Sequence, residues 1–132
     1  MSETKAARIS ASLLRWSFGV FLFLIGADKV SHTNLVAEWE RFVGPLALAV
    51  FPFPPQGIVL AQGCIELALA ILILFTPYVR LATALFIASI LAVIVDLLFL
   101  GNIILILRDL LVIVAGAVLM LLHPRRQEAV NP

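Results

Sequence analysis

Apolar residues dominate this chain of 132 residues: 63% are hydrophobic and 13% are charged, whereas a soluble domain has about half and a quarter. A soluble fold of this length would expose large apolar patches, which excludes that class and indicates a membrane protein. The net charge of +1, without a cluster of Lys and Arg among aromatic residues, gives no indication of nucleic-acid binding.

The first apolar run begins at Trp16 and is shorter than the roughly 20 residues that cross a bilayer. With its flanks it predicts a first span over about 10–30, in which Arg15 reaches the head groups and Trp16 lies in the interfacial aromatic belt. An alternative stays open, because Lys5, Arg8 and Arg15 before a short apolar run are also typical of a signal peptide. No small-residue cleavage site follows cleanly.

Residues 34–50 predict a short amphipathic helix between the first and second spans. Apolar side chains fall at helical spacing and charged ones on the other face: Leu35, Val36, Trp39, Phe42 and Val43 against Glu38, Glu40 and Arg41. The segment is too polar to cross the bilayer, so we expect it to lie on the membrane surface.

Three further apolar segments predict spans over about 57–76, 81–100 and 103–122. The first follows a proline cluster and stops at Pro77, and Gly101-Asn102 is a turn dipeptide that divides the long run after it. The sequence therefore predicts an all-α protein, an integral membrane four-helix bundle that forms a single domain over 1–132.

The distribution of Lys and Arg predicts the orientation of the bundle. With four spans the termini share one side, which carries Lys5, Arg8, Arg80, Arg125 and Arg126, against Lys29 and Arg41 on the other. Positive residues are enriched in cytoplasmic loops, so we expect both termini in the cytoplasm.

Seven polar or ionisable residues fall at membrane depth in the outer half of this bundle: Asp28, Lys29, Gln62, Glu66, Asp96, Arg108 and Asp109. Such residues are costly in lipid and normally face the bundle interior or a wet cavity. Gln62 is one helical turn from Glu66, so both should lie on one face. We therefore predict a polar layer where the four helices converge.

Arg108 is expected to pair with Glu66 or Asp96 on another helix, because the adjacent Asp109 points about 100° away on a helix. The layer holds four carboxyl groups and two cations, so full ionisation leaves excess negative charge, and a shared proton or a bound cation would offset it. Three interpretations stay open: salt bridges that fix helix order, a binding or proton-handling site, and subunit contact.

Small residues predict close approach of the helices, and they are Gly19, Gly26, Gly63, Ala88, Ala92 and Gly116. The single cysteine, Cys64, is expected to be a small buried hydrophobe. His32 and His123 fall on opposite sides of the membrane, and no His, Cys and carboxylate set has the spacing of metal ligands. The sequence therefore supports no metal or haem.

Three segments carry a resemblance to a known family: Gly26-Ala27-Asp28-Lys29-Val30 with Trp39 and Phe42 after it, Gly63-Cys64-Ile65-Glu66 with Pro77 after it, and Leu107-Arg108-Asp109-Leu110. They resemble the DoxX-like family of small four-helix bacterial membrane proteins, over about residues 14–122. Val30 departs from the aromatic residue that is more usual there, and Asp96 from a neutral polar one.

The resemblance implies a bacterial inner-membrane protein that is a membrane subunit or quinone-contacting partner of an oxidoreductase system. Its partners would be soluble or membrane oxidoreductase subunits, and it would have no cofactor of its own and not be an enzyme by itself. From the residues alone, a small transporter or proton-handling protein and a structural or assembly subunit remain alternatives.

The Lys and Arg distribution generates a prediction of topology. Reporter fusions should place both termini in the cytoplasm and the Gly101-Asn102 turn outside, because five cations lie on one side and two on the other. Termini on opposite sides of the membrane would contradict the four-span arrangement.

Overall fold

The computed structural model describes residues 3–35 and 38–123, and within these ranges every regular element is a helix. The α-helices are α1 (Glu3–Ser31), α2 (Pro45–Val50), α3 (Pro55–Phe75), α4 (Val79–Leu100) and α5 (Ile103–Leu122), and a 3₁₀ helix covers Trp39–Phe42. The helices α1, α3, α4 and α5 are each long and apolar enough to cross a membrane. The prediction of an all-α bundle of four spanning helices is confirmed.

The four long helices form a ring in which α1 packs on α3, α3 on α4, α4 on α5 and α5 on α1. Connections of a few residues make α3, α4 and α5 antiparallel in turn. We call the end at the 76–78 turn the lower end, and the end at residues 32–35, residues 38–54 and the Gly101 turn the upper end. Buried apolar side chains form the core: Phe18, Leu22, Leu69, Ala70, Ile73, Val79, Ala82, Phe86, Ile90, Ile94 and Leu119.

Local sequence signals fix the helix ends. Pro55 is in the first turn of α3, where its missing N–H costs nothing, so this helix begins two residues before the predicted span. Gly101 ends α4 with a φ of 68°, in the left-handed region that favours glycine. Asn102 then caps α5, because its side-chain oxygen accepts a hydrogen bond of 3.2 Å from Leu105 N–H.

Helix α1 is longer than the predicted span, and Arg15 marks where it meets the lower end of α3. The Arg15 guanidinium donates to the carbonyl groups of Ile73, Leu74 and Thr76 at 2.6, 3.1 and 2.9 Å. These carbonyls end a helix and lack intrahelical partners, so a cation stabilises them. Arg15 therefore joins α1 to the lower end of α3, and its reach to the head groups stays a prediction. Residues 3–10 continue beyond this level for about 12 Å.

Glycines bring α1 and α3 into backbone contact. A Cβ atom on Gly26 would lie 2.9 Å from the Gly63 carbonyl oxygen, and one on Gly63 would lie 3.0 Å from the Gly26 carbonyl oxygen. Gly19 and Gly116 are similarly crowded by neighbouring side chains. Close approach at these four glycines is therefore confirmed, whereas Ala88 and Ala92 are exposed.

Of the amphipathic helix expected over 34–50, the described residues 34–35 and 38–50 contain two short helices, Trp39–Phe42 and Pro45–Val50, and Val36 lies outside the described residues. Proline disfavours helical geometry in the residue before it, and Gly44 is extended, with φ −88° and ψ 176°. Trp39, expected on a membrane-facing side, is 6% exposed and packs inward. The described part of this segment therefore folds onto the upper end of the bundle.

The outer surface of the long helices is apolar, as lipid contact requires. Exposed side chains include Leu24, Leu85, Val114 and Leu121. Cys64 also lies on this surface, so the expectation that it is buried is wrong. The reason is that a helix surrounded by lipid is apolar on every side, and apolar residue type then does not indicate burial.

The Gly26–Gly63 contact generates a prediction of stability. Gly26→Ala should lower the free energy of unfolding by about 1 to 3 kcal/mol, because the new methyl group meets backbone atoms of α3 that have no room to move. Chemical unfolding in micelles, followed by circular dichroism, measures the change.

Gly57→Ala is the matched control, since a Cβ there would meet only the Phe53 Cβ atom at 3.3 Å and Pro54 further away. Both changes gain the helix propensity of alanine, worth up to about 1 kcal/mol. Equal stability of the two variants would show that α1 and α3 do not approach each other at Gly26.

Candidate functional site

A cavity of about 590 Å³ opens in the upper half of the bundle. All four long helices and the segment around α2 line it. Its wall is mainly apolar and carries six aromatic side chains: Phe21, Trp39, Phe42, Phe51, Phe53 and Phe86. Ligand sites commonly combine this size with an apolar lining and a few polar groups.

The first polar group on the wall is an ion pair between α1 and α3. Lys29 Nζ lies 2.7 Å from Glu66 Oε1, and the two residues are 4% and 2% exposed. The Lys29 ammonium also lies 4.5 Å from the centre of the Trp39 ring, a cation–π contact. Lys29 is thus held between a carboxylate and an aromatic face.

The second polar group is formed by neighbours on α5. Arg108 Nε and Nη2 donate to Asp109 Oδ1 at 2.9 and 2.7 Å. The prediction that Arg108 pairs with Glu66 or Asp96 is therefore wrong. The arginine side chain is long enough to turn back to the adjacent residue, and Glu66 already has Lys29 as its partner.

The two ion pairs belong to one electrostatic cluster. The charges of Arg108 and Asp109 act on both Lys29 and Glu66. Each pair also leaves one carboxylate oxygen over: Glu66 Oε2 and Asp109 Oδ2 are buried and have no hydrogen-bond partner among the described residues. A buried acceptor without a partner is costly, so these two atoms indicate where a ligand with donors would bind.

Asp28 lies beside this cluster but has a different role. Its Oδ2 accepts from the Trp39 indole N–H at 2.7 Å, and its Oδ1 accepts from Leu35 N–H at 2.8 Å and from the Thr33 hydroxyl. Donors with no formal charge thus stabilise this carboxylate. Asp28 does not line the cavity and instead ties the chain after α1 to the bundle.

Asp96 anchors the start of α2 in the same manner. Its oxygens accept from the backbone N–H groups of Gly44, Leu46 and Ala47 at 2.7, 2.9 and 3.4 Å. The side chain of a residue on α4 therefore caps a helix 50 positions earlier in the chain. This contact fixes α2, and with it Phe51 and Phe53 that follow this helix and line the cavity.

The predicted polar layer is brought together in part. Lys29, Gln62, Glu66, Arg108 and Asp109 line the cavity with Asp96, whereas Asp28 lies outside it. Trp39 is the residue that the sequence interpretation missed as a member of the site. Its signal was present, since Trp39 follows Asp28-Lys29 in the segment that carries the family resemblance.

No family model, no characterised protein and no solved structure matches the chain.

The Lys29–Glu66 pair generates a prediction of stability. Lys29→Gln leaves the Glu66 carboxylate buried without a cation, and should lower the free energy of unfolding by about 3 to 5 kcal/mol. Adding Glu66→Gln should recover part of this loss, because two amides can hydrogen-bond without a buried charge.

Arg41→Gln is the matched control, because Arg41 pairs with Glu38 on the surface and both side chains are more than half exposed. Arg41→Gln should lower the free energy of unfolding by less than about 1 kcal/mol. If Lys29→Gln is no more destabilising than Arg41→Gln, the pair between α1 and α3 does not hold the bundle together.

Proposed function

We propose that this chain is a bacterial inner-membrane protein of the DoxX-like family that acts as a membrane subunit or quinone-contacting partner of an oxidoreductase system. The observation that carries the proposal is the apolar cavity of about 590 Å³ with two ion pairs on its wall. An isoprenoid quinone has an apolar body and a head group that exchanges hydrogen bonds, and such a cavity suits both parts.

The residues on the wall fit a quinone head group in chemical type. Lys29 and Arg108 are donors that can bind a carbonyl oxygen, and Glu66 Oε2 and Asp109 Oδ2 are acceptors for the hydroxyl groups of the reduced form. A bound quinone supplies two-electron redox chemistry, with electrons exchanged with an oxidoreductase partner. The chain itself binds and orients the head group and offers two carboxylate oxygens to its protons.

The distribution of cations supports an orientation with both termini in the cytoplasm. The cavity then lies nearer the outer face of the membrane, because it is in the half of the bundle opposite the 76–78 turn. Partner subunits, soluble or membrane-bound, supply the redox cofactor in this proposal.

A second candidate function rests on Glu66 Oε2 and Asp109 Oδ2, which are buried without a hydrogen-bond partner in the described part of the chain. Glu66 and Asp109 share one buried cluster, which also suits a small transporter or proton-handling protein. Proton flux through liposomes without any quinone, lost in Glu66→Gln, would favour this function. A purely structural subunit would bind no quinone and carry no protons.

Tryptophan fluorescence tests the quinone proposal, because the chain has two tryptophans and only Trp39 lines the cavity. In a Trp16→Phe background, a short-chain ubiquinone added to the protein in nanodiscs should quench Trp39 saturably. Quenching that rises in proportion to the ubiquinone concentration without saturating would contradict a binding site.

Two alanines on α4, one turn apart and both exposed, provide a matched pair of variants. Ala92 lines the cavity and Ala88 does not. Ala92→Phe should weaken ubiquinone binding about tenfold or more, corresponding to about 1.4 kcal/mol, by filling the space that the ligand needs. Ala88→Phe should leave the affinity unchanged. Equal affinities of the two variants would mean that the quinone binds elsewhere.

A further inference from the structure

A second cleft, of about 380 Å³, lies at the lower end of the bundle, away from the cavity. One wall is a single face of α1 that includes Arg8, Ser12 and Arg15, at the i, i+4, i+7 spacing that aligns side chains along a helix. The opposite wall comes from the ends of α3 and α5, at Leu74 and Leu122-His123. Residues of three helices therefore form the cleft.

Positive charge is concentrated at this cleft. The guanidinium groups of Arg8 and Arg15 line it beside the His123 imidazole, and Arg80 lies next to it, donating at 3.0 Å to the His123 carbonyl group. Burial and the charges of Arg15 and Arg80 lower the pKa of His123 below its ordinary value. In the part of the chain that the structure describes, no carboxylate lines the cleft, and Arg8, Arg15 and the neighbouring Arg80 have no ion pair.

Some donors and acceptors at the cleft remain unused. Arg15 employs Nε and Nη2 on the carbonyls of α3, which fixes its guanidinium in place and leaves Nη1 over. His123 Nδ1 is buried without a hydrogen-bond partner among the described residues. A preorganised arginine beside uncompensated positive charge favours an anion, and arginine donors match the oxygens of phosphate in particular.

The apolar part of the cleft indicates what carries that phosphate. Ala11, Leu74 and Leu122 line it together with Trp16, whose ring lies 6.2 Å from the Phe75 ring between centres. Tryptophan prefers the level of the lipid head groups, and basic clefts between spanning helices suit anionic head groups. A phosphate group with an attached acyl chain matches both halves of the cleft.

We propose that the cleft binds the phosphate group of an anionic phospholipid, with Arg8, Arg15 and His123 around the phosphate and Trp16, Leu74 and Leu122 along the acyl chain. This site is separate from the proposed quinone site. Free phosphate has the same chemistry as the head group, so the test distinguishes the two sources.

Native mass spectrometry of the full chain, with equal amounts of dioleoyl phosphatidylglycerol and dioleoyl phosphatidylcholine, measures the preference. We expect phosphatidylglycerol to be retained at least fivefold over phosphatidylcholine. Arg8→Gln should remove most of this preference, because Arg8 has no structural hydrogen bond in the described residues and its loss should not unfold the protein. Equal retention of the two lipids would overturn the proposal.

Lys5→Gln is the matched control, since Lys5 is an exposed cation on the same helix that does not line the cleft. The Lys5→Gln variant should keep the preference for phosphatidylglycerol. If Lys5→Gln and Arg8→Gln lose this preference equally, general surface charge explains the binding and the proposed site is overturned. Millimolar inorganic phosphate should not displace the lipid. Displacement would support a phosphate site but overturn its assignment to a lipid.

Discussion

Opposite charges buried between α1 and α3 determine the upper half of this bundle. Desolvating an ammonium and a carboxylate is costly, and the Lys29–Glu66 attraction offsets that cost only at short range. Short range requires the two backbones to be close, which Gly26 and Gly63 allow, since a Cβ on Gly63 would lie 2.8 Å from the Lys29 Cβ atom. The ion pair therefore depends on the two glycines, and its two side chains form part of the cavity wall.

The other carboxylates show how a bundle accommodates more anions than cations. Asp28 and Asp96 accept hydrogen bonds from N–H and O–H groups of residues after α1 and at the start of α2. These hydrogen bonds stabilise both carboxylates. They also hold the described residues between the first two spans against the upper end of the bundle, so that charges that are costly in lipid organise the site.

Periodicity and helix breakers predicted the four long helices because length and apolar composition suffice to define a membrane span. The polar layer was predictable for the same reason, since an ionisable residue in lipid must turn inward. The pairing within the layer was not predictable, because Arg108 reaches the adjacent Asp109 through a long flexible side chain, and helical spacing does not describe such a contact. Helical spacing alone could not give the inward position of Trp39, since that position depends on Asp28 as an acceptor and on the break that Gly44-Pro45 introduces.

Solid-state NMR of the protein in lipid bilayers tests the central contact most directly. The chain has two lysines, Lys5 and Lys29, so ¹⁵N-labelled side-chain nitrogens give a simple spectrum. With ¹³C-labelled glutamate carboxyl carbons, the account predicts a strong dipolar coupling from Lys29 Nζ to the Glu66 carboxyl carbon, which disappears in Glu66→Gln. No coupling at Lys29 in the wild-type protein would contradict the buried pair, and with it the cavity wall on which the proposed function depends.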